Sequence, residues 1–192
     1  MRVVNWLCIL SALLLAGVAL AAAGADLDTV LQLLAQRQHG RVQFVEQHFL
    51  AVLDRPVESS GEMRYDAPGR LEKRTLLPRP ETLLLDNGVV TVDKGRTHRV
   101  MDLSSMPQME PFIESIRATL AGDRPALERL FNLSFDGSVA KWTLTLLPKD
   151  PKVKRSVQQV RIEGARDQLS RVEIRQADGD RSLLTLRPSP QP

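Results

Sequence analysis

Cysteine is all but missing from this chain. The one thiol, Cys8, sits inside an apolar N-terminal run. It comes too early to follow a complete apolar region and be lipidated, and a lone thiol forms no intrachain disulfide. Stability must therefore come from a packed core. Aromatic residues make up 4% of the chain, and the formal net charge is only +3 with Arg2 included. A nucleic-acid binder needs a clustered basic stripe or stacking rings. The densest basic stretch here, Lys149 to Arg155, is broken by Asp150 and Pro151 and reads as a solvated loop, so nucleic acid is excluded as a partner. Histidine is sparse too. His39, His48 and His98 include no pair at helical metal-site spacing, which leaves no metal site.

Signatures of catalysis are missing as well. There is no G-x-S-x-G elbow, no P-loop and no G-x-G-x-x-G. Ser59-Ser60-Gly61 lacks a strand–turn–helix context and reads as a turn. Glu46, Glu58, Glu62 and Glu72 read as solvent-facing carboxylates, and His48 as a rim or surface residue. Asn132-Leu133-Ser134 has the form of a glycosylation site, but Leu133 is expected to be buried. The expectation is a protein without catalytic residues and without a cofactor.

What is present begins with an export signal. Arg2 is followed by an apolar run from Trp6 to Leu20, then small residues to Ala25, then Asp26. That order is a secretory signal peptide with cleavage after Ala23 or Ala25, and the run is short of the ~20 residues that span a bilayer. Removing residues 1–25 leaves 192 − 25 = 167 residues, enough for one domain, placed at 26–187 with a loose tail at 188–192.

Periodicity places a helix at Asp26 to Gln38, with Leu27, Val30, Leu31 and Leu34 on one face and Gly40 at its end. Alternation and turns follow. Arg41 to Leu53 is β-rich with apolar groups on both faces, as in a strand covered on both sides. Glu58–Tyr65, Leu71–Leu77, Thr82–Leu85, Val89–Val92 and His98–Leu103 read as further strands. Asp86-Asn87-Gly88 is a strong hairpin signal, because a type I′ turn needs positive φ at both centres. Pro107 to Ala121 breaks the pattern as an amphipathic helix. Asp123 caps a shorter helix with Leu127, Leu130 and Phe131 on its apolar side. Strands then resume at Leu133–Phe135, Val139–Leu147, Val157–Glu163, Leu169–Gln176 and Ser182–Leu186, with Asp136-Gly137 as a turn and 148–156 as a loop. Met63, Met101, Met106 and Met109 are read first as core filling and second as an adaptable ligand surface. Hairpin order throughout points to a mainly β (α+β) fold: one antiparallel, incompletely closed β-barrel of ten to eleven strands, with an N-terminal helix and a helical insertion.

Phe44-Val45-Glu46-Gln47, Ser60 to Tyr65, Pro68 and Leu71 occur in order. They are followed by Pro80, Leu83, Asp86, Gly88 and Val89, then by Trp142, Leu144, Leu146 and Pro148, and finally by Val172, Ile174, Gln176, Asp178 and Gly179. Over nearly the whole mature chain this resembles the LolA-like family of periplasmic lipoprotein carriers. The resemblance implies a half-barrel whose concave face receives acyl chains under a movable helical lid. It implies a periplasmic monomer that takes lipidated cargo from an inner-membrane donor complex to an outer-membrane acceptor. Alternation then assigns Val42, Phe44, Met63, Tyr65, Leu71, Leu83, Leu85, Met101, Trp142, Leu144 and Leu146 to the cavity, and Met109, Phe112, Ile116 and Leu120 to the lid. In one place the chain departs from the family: Ala67 precedes Pro68 where the carriers have an arginine that ties barrel to lid. Arg64 and Arg70 are the candidate substitutes. Two alternatives stand beside this carrier: one for a non-lipoprotein lipid or polyene, and a sensor or interaction module acting through protein contacts, with the 148–156 loop as its patch.

Overall fold

The computed structural model describes residues 26–106 and 109–189. The expected signal at 1–25, the end of the expected tail at 190–192, and residues 107–108 lie outside the described residues. Helix α1 spans 26–35, three residues shorter than its periodicity predicts. The strands follow: β1 (His39–Phe49), β2 (Val57–Asp66), β3 (Arg70–Leu77), β4 (Glu81–Asp86), β5 (Val89–Lys94) and β6 (Thr97–Asp102). Helices α2 (Glu110–Leu120) and α3 (Arg124–Leu130) come next. The chain ends with β7 (Phe131–Ser138), β8 (Lys141–Pro148), the short α4 (Pro151–Lys154), β9 (Val157–Ala165), β10 (Gln168–Gln176) and β11 (Arg181–Pro188).

All eleven strands form one antiparallel sheet in the order β6-β5-β4-β3-β2-β1-β11-β10-β9-β8-β7. Each strand pairs with its neighbour in sequence, except that β1 also pairs with β11 and so joins two five-stranded wings. The edges β6 and β7 do not pair. The sheet is therefore not closed into a barrel, and the segment between those edges carries α2 and α3.

Alternation along each strand selects the concave face. Phe44 on β1, Leu71 on β3, Leu85 on β4, Val90 on β5, Trp142, Leu144 and Leu146 on β8, Val160 and Ile162 on β9, and Val172 on β10 are all buried. Each such side chain stabilises the fold by about 1.5–3 kcal/mol relative to exposure. The Trp142 ring lies so close to Gly164 that a Cβ there would come within 2.3 Å of it, and its indole N–H donates to the Arg166 carbonyl at 3.1 Å. Helix α1 buries Leu27, Val30, Leu31 and Leu34, the four positions its spacing selects. It lies against the α2–α3 turn at Gly122, where φ is +65° and a Cβ would sit 2.4 Å from the Leu31 carbonyl oxygen. Only glycine satisfies both conditions.

Several local expectations are corrected. β1 ends at Phe49, and Val45 on its outer face is 42% exposed, so β1 is covered on one side only. Its outer apolar groups stand among polar neighbours, including Gln43 and Gln47. Asp136-Gly137 is not the β7–β8 turn. The pairing Ser138↔Lys141 puts the turn at Val139-Ala140, and Gly137 lies within the ladder opposite Trp142 at φ +100°. Phe131 begins β7 instead of completing α3, because its backbone already pairs with Pro148. The 148–156 loop contains α4, whose start is capped by the Asp150 carboxylate accepting from the Lys152 N–H at 2.7 Å. β11 extends to Pro188, which pairs with Val42, so residue 188 belongs to the sheet and not to the expected tail. The Asn87-Gly88 hairpin forms as read, with φ of 48° and 82°.

Candidate functional site

The concave face has two different ends, and strand β1 runs through both. At its start, Val42 joins Met63 and Tyr65 from β2, Leu71 from β3, Leu169 and Val172 from β10, and Leu184 and Leu186 from β11 around a cavity of about 90 Å³. Ile116 and Leu120 from α2 complete the lining on the helix side. Most of the wall is aliphatic because these strands place alternate apolar residues inward. The polar residues of the lining are Arg37 just after α1, Asp167 just before β10, Gln168 at its start, and Arg41 and Arg64, which the β1–β2 register pairs on the face opposite Val42 and Met63. Arg37 donates to the carbonyl and the carboxylate of Asp167 at 3.3 and 3.4 Å. Arg41 binds Glu62 at 2.6 Å.

The sequence-predicted residues divide into three groups. Val42, Met63, Tyr65, Leu71, Ile116 and Leu120 meet around the cavity. Phe44, Leu85, Trp142, Leu144 and Leu146 are core residues at 2% exposure or less, with Leu83 and Phe112 packed against them. Met101 is half-buried on the edge strand β6, and Met109 caps α2 at 40% exposure. Sequence reasoning missed Leu169, Val172, Leu184 and Leu186. They come from the last two strands, which reach the cavity only because β11 pairs with β1.

The expected arginine substitutes do not act at the helix. Arg70 binds Asp86 at 2.9 Å, and Arg64 stays exposed. An arginine of α2, Arg117, carries its charge near Tyr65 of β2. Arg117 is held by Glu114 at 2.8 Å and lies 3.6 Å from Asp123, and its charge acts on the Tyr65 hydroxyl. Burial pushes the Tyr65 phenol up from its ordinary pKa, against the opposing effect of Arg117.

At the other end of β1 lies a polar cluster. Glu46 is 8% exposed and is contacted by Lys73 of β3, by Ser59 Oγ at 3.3 Å and by His48 Nε2 at 3.3 Å. His48 Nδ1 lies 2.6 Å from Ser182 Oγ. With Nε2–H donating to Glu46, Nδ1 accepts the Ser182 proton. Burial raises the Glu46 carboxyl pKa, but the His48 hydrogen bond and the charge and hydrogen bond of Lys73 outweigh it and hold the pKa at about 2. Lys73 also lies 5.0 Å from the Phe44 ring centroid. Glu46 is therefore part of a buried network and not the solvent-facing carboxylate expected, while His48, with its side chain 41% exposed, sits at the rim of that network as expected. A β-strand spacing of two puts them on one face, but their partners are far away in sequence. Among the described residues no group of three or more His, Cys, Asp or Glu side chains could hold a metal, and no helix is long and apolar enough to cross a membrane.

A LolA superfamily protein from Nitrosomonas europaea shares 10% identity at a TM-score of 0.49, covering 89% of this chain and 95% of that one. A putative outer membrane lipoprotein-sorting protein domain from Vibrio parahaemolyticus shares 11% identity at a TM-score of 0.44, covering 87% and 93%. The Pseudomonas aeruginosa MucA/MucB complex shares 17% identity at a TM-score of 0.45, covering 86% of this chain and 59% of that one. No curated protein matches the sequence. The family model described as outer membrane lipoprotein carrier protein LolA-like matches residues 19–187. With that match spanning the open eleven-stranded sheet and its inserted helices, the chain belongs to the LolA-like outer membrane lipoprotein carrier family.

Proposed function

We propose that this protein is a periplasmic carrier, exported by the signal at residues 1–25, that holds the acyl chain of a lipidated protein or lipid beneath α2. It collects this cargo from an inner-membrane donor and delivers it to an outer-membrane acceptor. The observation that carries the reading is the aliphatic cavity between the sheet and α2. Exposing an acyl chain to water costs ~0.8 kcal/mol per CH₂, so a diffusing carrier needs such a shelter. At about 90 Å³ the cavity is smaller than the ~150 Å³ apolar void that binds benzene, and a long acyl chain is larger still. Loading therefore requires Ile116 and Leu120 to move away from the sheet, which makes α2 the lid.

Native mass spectrometry of the protein purified from the periplasm, followed by denaturing lipid extraction, tests this. The expected result is an apolar adduct at one per protein. It should be lost in Leu120→Phe, which fills the cavity without introducing a charge. The mass of the adduct distinguishes lipoprotein from other lipid or polyene cargo. A clean apo mass, with no uptake of offered lipids or acylated peptides, would overturn the carrier reading.

A further inference from the structure

Among the described residues, the cavity wall contains one buried polar group without a hydrogen-bond partner. Tyr65 lines it at 6% exposure, and its hydroxyl is buried with no hydrogen-bond partner among the described residues. A buried donor left unsatisfied costs about 1–3 kcal/mol, so this hydroxyl is a standing opportunity for a ligand atom. No acceptor among the described residues reaches it: Val42, Met63, Leu71 and Ile116 in the same lining are apolar, and the Arg117 guanidinium that acts on the phenol is itself a donor. The Arg37–Asp167 pair of the lining is already joined. A phenol is protonated at neutral pH and burial pushes its pKa further up, so it donates.

We propose that the Tyr65 hydroxyl donates a hydrogen bond to the acyl carbonyl of the cargo, so that the cavity selects acyl compounds over plain alkyl or polyisoprenoid chains. This rests on the carrier reading and adds the chemical class of its ligand. The position suits the role. A chain can enter only when α2 moves off the sheet, and Tyr65 lines the same cavity as Ile116 and Leu120 of α2, so the space opened lies beside the hydroxyl. An acyl chain brings its only acceptor at its head, and an alkyl ether head lacks the carbonyl.

The test compares monododecanoylglycerol with dodecylglycerol ether, each titrated by calorimetry into wild type and Tyr65→Phe purified from the periplasm. Wild type is expected to bind the ester about tenfold more tightly than the ether. Tyr65→Phe is expected to bind both alike, with ether affinity unchanged or improved, and a melting temperature at or above that of wild type would confirm its fold. Equal binding of ester and ether by wild type would overturn the proposal and leave the carrier standing; a trapped water satisfying the phenol would give this result. An ester preference that survives in Tyr65→Phe would overturn it as well. If wild type binds neither probe, nor any other acylated ligand, the carrier reading itself fails.

Discussion

The two ends of β1 solve opposite problems on the same face. Around Val42 the wall is aliphatic, contacts are non-directional, and a cavity remains. Around Glu46 and His48 the side chains are joined by specific hydrogen bonds to Ser59, Lys73 and Ser182. An apolar wall can part and re-form at little cost, because dispersion contacts are individually weak. A buried carboxylate cannot leave its partners without exposing the desolvation cost it already bears. The difference suits the proposed carrier, with the sheet pinned at one end and opened at the other.

The largest break in this contrast should come from Lys73→Met. It leaves Glu46 buried without its ammonium partner, and urea denaturation should show a loss of about 3 kcal/mol. Glu46→Gln combined with Lys73→Met should recover much of that loss. A single mutant as stable as wild type would mean that the polar end does not pin the sheet.

Acid comes next. A carboxyl whose folded pKa is about 2 against an ordinary 4.5 contributes stability that is fully present above pH 4.5 and is lost as pH falls through 2. Roughly 3 kcal/mol should disappear across that window. In Glu46→Gln the slope there should be shallower, and equal slopes would assign acid sensitivity to other groups.

Smaller still is Leu184→Ala at the cavity end. Leu184 already faces a void, so the cost should lie at the low end for buried leucine, about 2 kcal/mol, while the cavity widens and uptake of a bulky acyl ligand rises. A cost well above that of Lys73→Met would reverse the proposed order of the two ends. The smallest effect is expected on the convex side. Val45→Thr, at a position 42% exposed, should shift stability by no more than about 0.5 kcal/mol and leave ligand binding unchanged.

Much of the architecture was legible locally. Asn87-Gly88 reads as a hairpin because the turn needs positive φ, and α2 reads as a helix because Ile113 and Ile116 recur at its period. Phe131 and Asp136-Gly137 misled for one reason: each carries a local signal that β-pairing overrides. Phe131 continues an apolar helical stripe, yet Pro148 takes it into the ladder. Gly137 has turn chemistry, but its freedom is used where Lys141 and Trp142 cross close by. The candidate site was half legible. Residues from β1 to β3 and from α2 were found, since alternation assigns their faces. Those of β10 and β11 were not, nor was the Glu46 cluster.

By itself, then, the sequence determined a meander of antiparallel strands interrupted by two helices with an apolar inner face, because strand period, helix period and turn chemistry act over a few residues. The tertiary structure alone decided that β11 returns to β1, that Ser182 meets His48 across 134 positions, and that the Tyr65 hydroxyl is left without a partner among the described residues. Those outcomes depend on which surfaces come together when the sheet coils, and no local period encodes a contact between residues so far apart.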